Sequence, residues 1–210
     1  VVRAIDYMAA LRDSRLGDDY RAAEKEAFYG LLPESISHEG YSAHPVHSYW
    51  DDFFALRGLK DAADLAVVVG DDDHATSYAR LRDEFRTTLY ASIARTMVAK
   101  NVDYVPGSVE LGDFDPTSTS IAIDPGGELG QLPATALRTT FDRYWGEVAG
   151  RLAGTSTWEN YTPYEIRNVG TFVRLDQKDR AEALLDGLMA DRRPAAWNGW
   201  AEIVWRDRDA

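Results

Sequence analysis

Gly70 separates two helical segments of opposite character, and that contrast constrains the fold more than any other feature of the chain. From Asp71 to Ala99, apolar residues recur every three or four positions, at Tyr78, Leu81, Phe85, Leu89, Ile93 and Met97, giving one apolar stripe on a charged helix. From Val46 to Val69 the pattern differs. Beyond Asp52 come Phe53, Phe54, Leu56, Leu59, Ala62, Ala63, Leu65, Ala66 and three valines, apolar almost all round. A helix like that is expected to be buried on most sides. With Gly70 ending the first segment and Asp71 or Asp72 capping the second, the pair predicts a hairpin with one inner and one outer member.

The same reading predicts helices over Val2 to Arg12, Asp18 to Leu32, Pro133 to Leu152, Thr162 to Arg174, Asp176 to Met189 and Trp197 to Trp205. The fold class is therefore all-α, with about eight helices. Asn101 to Leu132 is the exception. Tyr104-Val-Pro-Gly-Ser-Val-Glu-Leu-Gly112 and Thr117-Ser-Thr-Ser-Ile-Ala-Ile-Asp-Pro-Gly-Gly127 read as an irregular insertion or short β-ribbon around Asp113-Phe114-Asp115-Pro116. Long interruptions in helical bodies are commonly functional. No block of composition marks a linker, so residues 1–210 are expected to form a single domain. The start at Val1, without Met or a signal-like stretch, and the stop just after an aromatic segment predict that it is part of a longer polypeptide.

Charge narrows the partners. Lys and Arg number 23 against 35 Asp and Glu, a net −12 that argues against nucleic acid and anionic membrane surfaces. No run approaches the roughly 20 apolar residues that span a bilayer, so a soluble chain is expected. With no cysteine, thiolate metal sites, thiol catalysis and disulfides are excluded, and the compartment, secreted or periplasmic included, stays open.

Two crowded segments carry the candidate chemistry: His44-Pro-Val-His47-Ser-Tyr49-Trp50-Asp51-Asp52 and Trp158-Glu159-Asn-Tyr161-Thr-Pro-Tyr164-Glu165-Ile-Arg167-Asn168. Each sets carboxylates among aromatics and amides. That mixture suits a sugar, because aromatic faces cover the C–H side of a pyranose while carboxylates and amides bond its hydroxyls. A carboxylate from each segment could flank one glycosidic bond. Asp51 and Asp52 could equally be helix-start acids, but His47 sits four residues before Asp51 with Tyr49 and Trp50 between them. Glu165 fits a capping box with Thr162 at the N-cap and Pro163 at N1, whereas Glu159 has no such duty and is the stronger functional candidate. Asp113 and Asp115 read as an Asx-turn device. His44 and His47 have no third ligand at a recognisable spacing, so no metal is expected. Trp197-Asn198-Gly199-Trp200 is either core or a stacking platform at a sugar cleft.

Inner and outer hairpins, an Asp-Asp early in an inner helix, a Trp-Glu-x-Tyr before a later one and a Trp-Asn-Gly-Trp after it resemble the six-hairpin glycosidases, whose fold is the α/α toroid. The nearest echoes are the trehalase and processing α-glucosidase families, in which a Ser-Gly-x-Asp segment carries the general acid and a Glu-x-Tyr segment the general base. Ser48-Tyr-Trp-Asp51 and Glu159-Asn-Tyr161 stand in those places, with Tyr49 where the family has glycine. The resemblance implies an incomplete ring, since a full toroid has more helices than are counted here. It implies a glycoside hydrolase acting on an oligo- or polysaccharide, inverting, without a cofactor. Asp51 would be the acid, Glu159 the base and Asp52 the reserve acid. His47, Tyr49, Trp50, Arg57, Tyr161, Arg167, Asn168, Trp197 and Asn198 would bind the sugar. Two rivals stand beside it: a polysaccharide lyase of toroid type, whose uronate cleft should be rich in Arg or Lys, and a non-catalytic carbohydrate-binding or scaffold domain, which needs no paired acids.

Overall fold

The computed structural model describes residues 1–37 and 40–207. Among these are seven α-helices and one two-stranded ribbon, so the all-α expectation holds. None of the helices is long and apolar enough to cross a membrane. The chain divides into two compact units, Val1–Ala136 and Leu137–Ala210.

Unit 1 is built on the expected hairpin. Helix α1 (Val2–Asp13) precedes α2 (Tyr49–Val69) and α3 (Asp72–Lys100). Gly70 takes φ +74°, a left-handed conformation that glycine adopts without a Cβ clash, and the Asp71 amide then reaches back to the Ala66 carbonyl at 2.9 Å. Asp71 caps α3 by accepting from the His74 amide at 3.2 Å. Helix α2 does not meet the expectation of burial on most sides. Phe53, Leu56, Leu59, Ala63 and Ala66 are buried, while Phe54, Leu65, Val67, Val68 and Val69 are exposed, Val68 at 81%. Within unit 1 it packs mainly on α3 and α4, so one flank of an apolar helix is left uncovered.

Helix α4 (Pro116–Ile123) corrects the reading of Thr117 to Ile123 as extended ribbon. Asp115 accepts from the Thr117 and Ser118 amides at 3.0 and 3.1 Å and from both hydroxyls, and Pro116 supplies the first turn. Ser118 to Ile123 are all buried, so packing overrides the weak helix propensity of a Thr/Ser/Ile run. The Asx-turn reading holds for Asp115 but not for Asp113, whose carboxylate instead accepts from Tyr41 at 2.8 Å and Ser108 at 2.6 Å. Only isolated bridges, Ser48 with Ser108 and Pro106 with Phe114, remain of the ribbon.

The helix expected over Asp18 to Leu32 is replaced by two short 3-10 turns, Asp18–Arg21 and Glu26–Phe28. Arg21 lies 4.6 Å over the Tyr29 ring, although residues eight apart on an α-helix would be separated by about 12 Å of rise. The chain breaks at Ala22, which is extended, to bring them together.

Unit 2 begins in the first turn of α5 (Ala134–Leu152) and continues through β1 (Asn160–Tyr161), a 3-10 turn (Pro163–Ile166), α6 (Arg167–Arg174), α7 (Lys178–Ala190) and β2 (Val204–Trp205). Phe141, Tyr144 and Trp145 of α5 surround Phe172 of α6 at about 6 Å between ring centres. The N-cap of α7 is Gln177 rather than Asp176. No helix runs from Trp197 to Trp205. Asn198 takes φ +54° after a 3-10 turn (Ala195–Trp197), and the chain then extends so that Val204 and Trp205 pair with Tyr161 and Asn160.

Candidate functional site

The candidate residues form two groups, one in each unit. In unit 1 the group surrounds the N-terminus of α2. The Asp51 carboxylate accepts from Ser35 at 2.5 Å and Ser37 at 2.9 Å, and the Ser37 hydroxyl also lies 3.1 Å from that of Ser48. Ser35 is held by its backbone bridge to Val46, which fixes the donors relative to the helix start. Asp51 thus sits partly buried in a cup of hydroxyls at the start of α2.

Asp52 is only 1% exposed. One oxygen accepts from the Leu32 amide at 3.0 Å and the other has no partner among the described residues. Burial pushes its pKa well above the ordinary aspartate value; the Leu32 amide opposes the shift and the adjacent Asp51 charge adds to it. Neighbouring acids therefore have divergent environments, one hydrogen-bonded and partly open, the other closed and inclined to keep its proton. Because its folded pKa is raised, the stabilising contribution of Asp52 is fully present below the unfolded value near 3.8 and is lost as pH rises through the folded value. Asp52→Asn keeps an acceptor for Leu32 and removes the ionisable group. It is expected to stabilise the protein relative to wild type at mildly alkaline pH, by about 1 kcal/mol, with the difference vanishing in acid. Thermal melts across pH check this; a pH-independent difference would count against the buried acid.

His47 is buried against Phe28, with ring centres 4.7 Å apart. Its amide and Nδ1 both meet Glu110, at 2.9 and 2.7 Å, while Nε2 stands 3.6 Å from Glu34 without a hydrogen-bond partner. Burial would raise the Glu110 pKa, but the bonds to His47 outweigh it and leave the carboxyl below its ordinary value. Tyr49, expected to bind sugar, is fully buried with its hydroxyl between Ser92 at 2.8 Å and Thr96 at 2.9 Å, so it has no free face for a ligand. Trp50 packs on Phe54 at 5.5 Å. Arg57 lies farther along α2, paired with Asp61 at 2.7 Å and bonded to the Pro125 carbonyl.

In unit 2, Glu159 is exposed, and its carboxylate has no partner among the described residues. Its backbone is fixed, since the carbonyl accepts from the Arg206 amide at 2.9 Å beside the β1–β2 pairing. Thr157, Trp158, Glu159, Trp205, Arg206 and Asp207 line a hollow of about 500 Å³. Glu165 behaves otherwise. Thr162 caps the following turn as expected, accepting from the Tyr164 amide. The Glu165 carboxylate does not close a capping box. It is buried, bound by Arg151 at 2.6 and 3.1 Å and by the Tyr144 hydroxyl at 2.8 Å.

Arg151 also stacks on Tyr161 at 4.3 Å, and the Tyr161 hydroxyl donates to Asp191 at 2.9 Å. Arg167 covers the Tyr164 ring at 4.9 Å. Asn168 is 0% exposed beside the Tyr144 hydroxyl, and among the described residues neither its amide nor the Thr171 hydroxyl, one turn on, makes a hydrogen bond of regular geometry. Trp197 is 79% exposed, Asn198 accepts from Arg192, and the Trp200 indole donates to the Leu188 carbonyl at 2.9 Å. The platform motif is thus half solvent-facing and half anchored.

Sequence reasoning missed Glu110, Glu128, Arg151 and Asp191. Each acts on a partner distant in sequence or in a different element, and none lies in a recognisable motif. Comparison of the chain with protein-family models, with characterised proteins and with solved structures returns no match.

Proposed function

We propose that the chain is a carbohydrate-active domain of six-hairpin type that hydrolyses a glycosidic bond, with Glu159 as general base. The observation that carries this reading is the placement of Glu159: an exposed carboxylate without a structural partner, in a hollow flanked by Trp158 and Trp205. Two indoles can cover the C–H faces of a pyranose while a free carboxylate activates water at the anomeric carbon.

The hairpin α2–α3 supports the toroid reading, whereas the exposure of Val67, Val68 and Val69 does not, since an inner helix would be covered on most sides. The pairing of Arg151 and Arg193 with carboxylates favours a neutral sugar over the uronate of a lyase.

Glu159→Gln is expected to lower hydrolysis of α-linked glucose disaccharides, trehalose among them, by at least about a hundredfold with an unchanged melting temperature. Proton NMR of the first product should show the β-anomer, as inversion requires. Full turnover in Glu159→Gln would remove Glu159 as the base, and no turnover by the unaltered chain would sink the hydrolase and leave a sugar-binding module.

A further inference from the structure

Trp158 also lines a second cavity, of about 210 Å³, between the end of α5 and α7. Its floor is apolar, from Leu152, Leu184 and Leu188, and its polar wall consists of Arg151, Tyr161, Asp191 and Arg193. Gly187 allows the two helices to come this close, since a Cβ there would stand 2.4 Å from a methyl of Leu152. The volume is below the roughly 300 Å³ at which drug-sized sites begin, so it suits a fragment of one ring.

The polar wall is held by its own bonds. Tyr161 donates to one oxygen of Asp191 at 2.9 Å, and Arg193 donates to the other at 2.7 Å. Arg193 also donates to the carbonyls of Trp205 at 2.6 Å and Arg206 at 3.2 Å, which ties the wall to the strand that borders the Glu159 hollow. Arg151 is bound by Glu165 and stacked on Tyr161. Both guanidiniums are thus neutralised by carboxylates and largely used as donors, so the cavity offers little to a free anion. Asp191 keeps lone pairs on both oxygens, each engaged by one donor where it can accept more.

We infer that this cavity is a binding subsite for one uncharged pyranose ring, which shares the Trp158 indole with the hollow that holds Glu159. Asp191 accepts from its hydroxyls, Arg151 donates to them, and the leucines and indole cover its C–H surface. The assignment extends the proposed hydrolase: a chain lying over Trp158 would place one sugar at Glu159 and another here.

The test is NMR titration of the whole chain with D-glucose, D-glucuronate and inorganic phosphate, observing the Trp158 indole and Arg151 Nε–H signals. D-glucose should shift both with a Kd of about 1 mM, and the two anions should bind about tenfold more weakly. Asp191→Ala should weaken glucose about tenfold. In the unaltered protein, glucose should show NOEs to Leu184 and Leu188 methyls, a readout independent of whether the variant folds. Absence of those contacts, or phosphate binding more tightly than glucose, would overturn the assignment. The variant Glu159→Gln separates the two proposals. Loss of turnover without glucose at the leucines defeats the subsite alone, whereas glucose there with turnover intact defeats only Glu159 as the base.

Discussion

Replacing Glu128 by Ala is expected to destabilise unit 1 by about 3–5 kcal/mol, because it strands two cations that the fold holds against a buried carboxylate. Glu128 is 1% exposed. One oxygen meets Lys60 at 2.7 Å and Arg86 at 2.9 Å; the other meets Arg86 at 2.9 Å and the Tyr90 hydroxyl at 3.2 Å. Lys60 comes from α2, Arg86 and Tyr90 from α3, and Lys60 also donates to the Gly126 carbonyl at 2.7 Å. One side chain therefore fastens the loop after α4 to both members of the hairpin. Burial alone would raise the Glu128 pKa, but Arg86 and Lys60 outweigh it and hold it below its ordinary value. Its stabilising contribution is accordingly present above the unfolded value near 4.5 and is lost as pH falls through the lower folded value. Urea unfolding should show the gap between wild type and Glu128→Ala narrowing in acid. A variant within about 1 kcal/mol of wild type at neutral pH would mean that the pair contributes nothing net.

Glu128 also shows why part of the molecule was not legible in the sequence. The hairpin was, because its signals are local: Gly70 at a left-handed position, Asp71 three residues before the amide it accepts from, and an apolar stripe on α3. The turn at Asp115 was visible for the same reason, but the helix it starts was not. A Thr/Ser/Ile run carries no helical preference, and α4 forms because its residues are buried. The opposite error occurred at Asp18 to Leu32, where Ala, Glu and Lys favour a helix locally and tertiary contacts to Tyr29 and Ser92 prevail, the latter donating to the Ala27 carbonyl. At the candidate site, residue type distinguished the Asp51 and Glu159 segments, but not which acid would be buried. Asp51 and Asp52 are adjacent and chemically identical. Only the packing of Leu32 over one and the hydroxyls of Ser35 and Ser37 at the other separate them.

The same distinction between type and environment governs Glu159 and Glu165, and it leads to the second large effect. Glu165→Ala should destabilise unit 2 by about 3 kcal/mol or more, because Arg151, itself mostly buried, would lose a bidentate partner. Gln completes a capping box as well as Glu does, so Glu165→Gln would be nearly neutral if capping were its role. Since the carboxylate instead binds Arg151 and Tyr144, Gln should lose a substantial part of the same stability. Burial tends to lower the Arg151 pKa, and Glu165 outweighs it, so the charge remains on the guanidinium and has nowhere to go when its partner is removed. A double-mutant cycle is the check. Arg151→Ala with Glu165→Ala should be less damaging than the sum of the two single changes, with a coupling of about 1–3 kcal/mol. Additive effects would show that the two side chains act independently. Glu159, exposed and without a partner for its carboxylate among the described residues, should leave the melt unchanged when replaced by Gln. Two glutamates in one short segment then divide cleanly, one acting on the stability of the fold and the other on whatever enters the hollow between Trp158 and Trp205.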